Sequence, residues 1–175
     1  MEKTYALWVM PSGETYLNLK NEILRLSKEH NTVDFEPHVT IIGGLIGEEA
    51  VLIKKMEEFR STLSFEVSLR GLQHSDEYFK CIFLECERSR GLANLNQKAK
   101  ILFGRLNDPE FKPHLSLLYA KLEPEVREGI VDNLKMKYGS DLHFEVTDIR
   151  FMLTAQHPAL ELKKFEFIKK NKVSK

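Results

Sequence analysis

The chain is poor in the residues that would signal a stapled, membrane-spanning or polyanion-gripping protein. It has two cysteines, one tryptophan, and Lys+Arg and Asp+Glu both at 26, so its formal net charge is zero. Cys81 and Cys86 fit neither a C-x-x-C pair nor a zinc-ligand pattern. On one strand their odd offset sends them to opposite faces, so they are expected as free, buried thiols. That usage points to a reducing, cytoplasmic setting. No apolar run approaches the roughly 18 residues that a membrane span needs, and the run in MEKTYALWVM is too short for a signal peptide. A protein that holds long nucleic acid carries a basic stripe; a neutral chain suits a small anionic ligand, which makes RNA the less favoured partner. Linkers rich in Ser, Pro or Gly are missing too. The 175 residues, 42% of them hydrophobic, are enough for one core. A single domain over 1–175 is expected, and nothing asks for more than a monomer.

Periodicity gives the elements. Tyr5–Met10 reads as a strand closed by Pro11-Ser12-Gly13, and residues 14–30 as a helix with Leu19, Ile23, Leu26 and His30 on one face. His38–Ile42 is a β-rich run ended by Gly43-Gly44. Glu48–Arg60 is a second helix, and Leu63–Leu69 alternates as a half-buried strand. The order strand, helix, strand, helix, strand then repeats. Tyr78–Cys86 is a strand. Residues 89–106 are a helix with Ser89 as N-cap. His114–Tyr119 is a strand, and Pro124 opens a helix bearing Val126, Ile130 and Leu134. Strands follow over 143–153 and 160–168. In the last of these, Leu162, Phe165 and Phe167 break the alternation once, which predicts a bulge or register shift. The lobes run over approximately 1–72 and 76–168, with a joint at Gly71–Asp76 and a basic tail at 169–175. The fold class is α+β: a bilobal, pseudo-twofold duplication with two antiparallel sheets lining a central cleft and helices packed outside.

The duplication carries a phrase. Residues 35–42 read FEPHVTII and residues 111–118 read FKPHLSLL, both Phe-x-Pro-His-apolar-(Ser/Thr)-apolar-apolar. Pro-His-x-(Ser/Thr) is expected by chance about 0.02 times in a chain of this composition, and it occurs twice, each time at the start of a strand. On a strand i and i+2 share a face. His38 and Thr40 therefore point one way with Val39 and Ile41 behind them, and His114 and Ser116 do likewise with Leu115 and Leu117 behind. A single histidine on a strand is more often structural than catalytic; a matched pair, brought together by a pseudo-twofold axis, is a different matter.

Two imidazoles and two hydroxyls around one cleft suit displacement at phosphorus. A neutral histidine takes a proton from water, a protonated one gives a proton to the leaving ribose oxygen, and an ordinary pKa of about 6.5 keeps both forms available near neutrality. The hydroxyls donate to the non-bridging oxygens. No metal or other cofactor is needed for that chemistry. The rival, two histidines and a carboxylate holding iron or zinc, is held low. Trp8 either stacks a base or belongs to the core, with core slightly favoured; Phe83 shares the ambiguity. Thr4 and Tyr5 are candidates for the cleft rim, and His74 and His157 are loop histidines for which solvation is the default.

Two H-x-(S/T)-apolar motifs on strands of a duplicated lobe resemble the two-histidine phosphoesterase superfamily. PHLSLLY, with the chain length and neutral charge, is most similar to its small plant and fungal cyclic phosphodiesterases. The resemblance implies hydrolysis of ADP-ribose 1″,2″-cyclic phosphate or nucleoside 2′,3′-cyclic phosphates to the 2′-phosphate. It implies His38, Thr40, His114 and Ser116 as the catalytic set, and Tyr119 at the substrate. By loose analogy it makes His114 the base and His38 the acid. A branch acting on RNA ends, which needs a basic groove, and a nucleotide-binding module without turnover are the alternatives.

Overall fold

A computed structural model describes residues 2–138 and 142–169. The strands are β1 (Tyr5–Val9), β2 (Val39–Leu45), β3 (Phe65–His74), β4 (Ile82–Cys86), β5 (His114–Leu118), β6 (Leu142–Val146), β7 (Asp148–Leu153) and β8 (Leu160–Glu166). The helices are α1 (Gly13–Glu29), α2 (Glu49–Lys55), α3 (Arg90–Phe103) and α4 (Pro124–Tyr138). The basic tail beyond Lys169 lies outside the described residues.

The strands lie in the order β6-β3-β4-β5-β2-β1-β7-β8, all antiparallel. The sheet has two four-stranded halves, but these are not the two separate sheets expected from the duplication. One residue pair, Val39 with Leu115, joins β2 to β5 and makes the sheet continuous. Nor do the halves follow the sequence repeats. β3 leaves the first repeat to pair with β4 and β6, and β7 leaves the second to pair with β1 and β8. The Gly71–Asp76 region is therefore not a joint between lobes: β3 runs through it to His74 and then pairs back with β4.

Alternation sorts the two faces of the sheet. Along the row Val9–Val39–Leu115–Leu84 every side chain is sealed in the main core, and Tyr5 and Leu7 belong there too. The helices cover this face crosswise, α1 against β5 and α3 against β2. Local chemistry sets their ends. The Ser89 hydroxyl accepts from the Leu92 amide at 3.3 Å, and Gly104 closes α3 in the left-handed conformation, leaving Leu106 exposed beyond it. Residues 143–153, expected as one strand, are two, β6 and β7, in different halves of the sheet, and four smaller details also depart from the sequence expectations. Met56–Ser61 tightens into a 3-10 turn after α2, and Tyr78–Lys80 is a 3-10 turn rather than the start of β4. Val126 is exposed, the inward stripe of α4 using Val131 instead. β2 continues through Gly43-Gly44 to Leu45. The expected irregularity in β8 is present: Phe151 pairs with Lys163 and Met152 with Glu161, so Leu162 is the extra residue. Both cysteines are free and buried.

Gly91, in the first turn of α3, lies against Phe65 so closely that a Cβ there would overlap the ring and crowd the Phe65 Cβ. Gly91→Ala should therefore destabilise the protein by about 1–3 kcal/mol, as overpacked core positions do, although alanine is the better helix former. Urea unfolding should show a lower midpoint at unchanged slope; equal or raised stability would mean that the contact relaxes freely.

Candidate active site

The second face of the sheet carries the polar half of both phrases. With Val39 opposite Leu115 in an antiparallel register, Thr40 falls opposite His114 and His38 opposite Ser116. The two histidines are then diagonal neighbours, a relation that spaces strand positions about 7–8 Å apart. They reach a common space from adjacent strands of one sheet, not from two sheets facing each other. That space is a cavity of about 750 Å³ bordered by His38, Thr40, His114, Ser116, Trp8 and Tyr119.

The rest of each phrase aims its histidine. His38 Nδ1 bonds the Glu36 carbonyl at 2.6 Å, and His114 Nδ1 bonds the Lys112 carbonyl at 3.1 Å. Both acceptors are the variable residue of Phe-x-Pro-His. Proline fixes its own φ and restricts the residue before it to extended backbone, so the carbonyl of that residue turns back to the ring two positions on. A carbonyl can only accept, so Nδ1 carries the proton and Nε2 is left for the cavity.

Each ring also has an aromatic neighbour at the matching place in its half. Trp8, paired with Thr40 across β1 and β2, stacks on His38 with ring centres 3.5 Å apart and planes 8° apart. Phe83, paired with Ser116 across β4 and β5, meets His114 edge-on at 5.6 Å. Trp8 is 7% exposed, but its place is on the cavity face with Ala6 and Met152, apart from the main core. Burial dominates the electrostatics. It lowers His38 to about 4, the nearby His114 adding a smaller push in the same direction. His114, less enclosed, is lowered by burial and by the Lys80 ammonium, against its bond to Lys112. Both imidazoles are therefore neutral near pH 7.

The hydroxyls differ. Thr40 has no hydrogen-bond partner among the described residues, whereas Ser116 Oγ donates to the Phe79 carbonyl at 2.8 Å. Tyr119 sits just past the end of β5, free of the strand alternation that would turn it away. Its ring stacks on Phe35 at 3.6 Å, burial raises its pKa, and its carbonyl accepts from Thr32 Oγ1. Of the other candidates, Gly43, Gly44 and His157 border the cavity. Thr4 and Tyr5 do not: Thr4 bonds Thr154, and Tyr5 faces the core, stacked on Phe151, with Ala6 and Trp8 taking the rim. His74 ends β3 away from the site. Glu36 is the acid nearest a motif histidine in sequence, and its carboxylate turns away to Lys20 and Tyr16. Sequence reasoning missed Phe35 and Phe79, and it missed the purpose of the variable residues. The identity of Phe35 in both phrases was the available signal for the first; for Phe79, in an apolar stretch that reads as strand, there was none.

A family model described as cyclic phosphodiesterase-like protein matches residues 1–148. The chain is 31% identical over 141 residues to a protein of Kluyveromyces lactis named 2′,3′-cyclic-nucleotide 3′-phosphodiesterase, a match covering 68% of this chain and 65% of that one. It is 27% identical over 129 residues to an Arabidopsis thaliana protein named cyclic phosphodiesterase, covering 71% and 70%. In fold it is similar to Escherichia coli LigT, with a TM-score of 0.63 at 14% identity over 96% of this chain and 99% of that structure. With its paired histidine phrases set on one cavity, the chain belongs to the cyclic phosphodiesterase-like family of two-histidine phosphoesterases.

Proposed function

We propose that the protein hydrolyses small cyclic phosphates without a metal, opening nucleoside 2′,3′-cyclic phosphates to 2′-phosphates or ADP-ribose 1″,2″-cyclic phosphate to its monoester. The observation that carries this reading is the matched pair of imidazoles, each held through Nδ1 by its own phrase and each leaving Nε2 to one cavity. The names of the relatives support it, and LigT has been crystallised with 3′-AMP and with NADP+, ligands of the same small-nucleotide class.

In this reading the anionic phosphoryl group lies between the histidines. Its charge opposes the burial that keeps His38 neutral, and the Trp8 face gives an imidazolium further support by a cation–π contact. His38 therefore takes up a proton with the substrate and serves as the acid. Phe83 meets His114 in a T-shaped contact and does not stack on it. His114, the more open ring, remains neutral and draws a proton from water as that water attacks phosphorus. The bond from phosphorus to the 3′ oxygen breaks, the 3′ oxygen receives the His38 proton, and the 2′-phosphate remains. Thr40 donates to a non-bridging oxygen. Ser116 does so after turning its proton from the Phe79 carbonyl, so it contributes less. Tyr119 forms part of the wall beside the substrate.

His38→Ala and His114→Ala should each reduce turnover of adenosine 2′,3′-cyclic phosphate by about 10²–10⁴-fold, with wild-type activity intact in EDTA and the 2′-phosphate as product. A p-nitrophenyl ester of a nucleoside 2′-phosphate, whose leaving group needs no proton, should recover rate in His38→Ala and not in His114→Ala; the opposite pattern would reverse the roles. Thr40→Ala should cost about 10²–10³-fold, as loss of one transition-state donor does, and more than Ser116→Ala. Stability should report His38 as well. Its folded pKa of about 4 lies below the unfolded value near 6.5, so between those values the unfolded chain holds the extra proton. Stability then falls as pH drops from about 6.5 to 4 and levels off below. Urea titrations should show a shallower slope over that window in His38→Gln; an identical slope would show that the ring titrates normally.

A further inference from the structure

The catalytic cavity does not end at His114. Beside it lies a groove of about 430 Å³, and His114 and Lys80 border both spaces. Lys80 is half-buried, its ammonium 4.4 Å from the centre of the Phe83 ring, and Phe83 is the residue that meets His114 edge-on. The ammonium is near enough for its charge to act on the imidazole, lowering the His114 pKa.

The charges around the two spaces are not balanced in the same way. On the α1 side of the cavity Lys20 is tied to Asp34 at 3.2 Å and to Glu36 at 2.8 Å, which leaves that wall negative. Glu77 adds a carboxylate to the cavity as well. In the groove both arginines are already matched, Arg70 to Glu87 at 3.1 Å and Arg88 to Glu110 at 2.6 Å. Glu85 adds one negative charge. Lys80 and the exposed Lys112 add two positive charges, and neither has an ion-pair partner among the described residues. In a chain of zero net charge, this is where an anion already held at His114 finds surplus cation.

We infer that the groove is a second phosphate subsite, in which Lys80, assisted by Lys112, holds a further phosphate of the same substrate. Lysine suits this task because its ammonium is a compact charge on a flexible stem and follows phosphates that differ in position. The subsite makes the chain selective for cyclic phosphates that carry another phosphate over bare nucleoside cyclic phosphates. A terminal 5′-phosphate, a diphosphate bridge and the next phosphate of a short RNA share that chemistry. The inference rests on the catalytic reading above only for the orientation of the cyclic phosphate.

The test compares kcat/KM for adenosine 2′,3′-cyclic phosphate, its 5′-phosphate, its 5′-diphosphate and a dinucleotide ending in a cyclic phosphate. Wild type should prefer at least one phosphorylated form by tenfold or more, and the best of the three identifies the source of the second phosphate. In Lys80→Gln, and further in Lys80→Gln with Lys112→Gln, the preference should fall toward one. The ratio between substrates is the readout, so a general loss of rate in a variant does not disturb it. Affinity for adenosine 2′,5′-bisphosphate relative to adenosine 2′-phosphate, measured by calorimetry, should show the same preference and the same loss without turnover. Equal treatment of all four substrates and both ligands in wild type, or a preference untouched by the double substitution, overturns the subsite. If no substrate is hydrolysed while the calorimetric preference holds and depends on Lys80, the catalytic reading fails and the subsite stands.

Discussion

One backbone pairing, Val39 with Leu115, holds the two halves of the sheet together between the two histidine phrases. Its side chains go to the core and anchor the seam among buried aliphatic neighbours. The residues on either side must then face the other way, and those residues are the two histidines, the threonine and the serine. An antiparallel pair has a local twofold relation, so a phrase with histidine at i and hydroxyl at i+2, placed on both strands, produces two imidazoles on one diagonal and two hydroxyls on the other. The repeated phrase and the seam are thus one device. A register slip of a single residue in either strand would send that strand's histidine and hydroxyl into the apolar core and bring its Val39 or Leu115 to the cavity.

The symmetry of the backbone is not carried into the environment of the rings. Trp8 covers one face of His38, whereas Phe83 and His114 meet in a T-shaped contact with no stacking. Two residues that occupy equivalent places therefore have different solvation and different access, which is what distinct acid and base roles require. The hydroxyls diverge for a similar reason: the 3-10 turn at Tyr78–Lys80 brings the Phe79 carbonyl to Ser116, and Thr40 has no such partner among the described residues. A candidate site built from two matching phrases becomes directional through its surroundings.

Much of this was legible in the sequence because it is encoded locally. The helical stripes of α1 and α3, the Ser89 cap, the irregular step at Leu162 and the pairing of histidine with a hydroxyl two positions on are all relations between residues close in the chain. Contacts made across strands were not legible. Trp8 was read as slightly favouring the core because a lone tryptophan carries no sign of which face it takes; its neighbours Leu7 and Val9 do face the core, and Trp8 lies between them on the other side. Tyr78 and Phe79 look like strand residues until the bend at Lys80 is known. The function of Glu36 and Lys112 was hidden because it belongs to their carbonyls, and side-chain identity says nothing of those.

The exchange of β3 and β7 between the halves has a consequence for autonomy. The first repeat owns β1 and β2 but lends β3 to the other half, and the second keeps β4 and β5 but lends β7 back. A protein of half the length could not finish its own sheet; it would have to borrow the absent strand from a twin, the kind of exchange by which identical chains form intertwined dimers. The molecule is such an intertwined pair made permanent by one continuous backbone, and cutting it at the middle of its sequence would divide neither of its structural halves from the other.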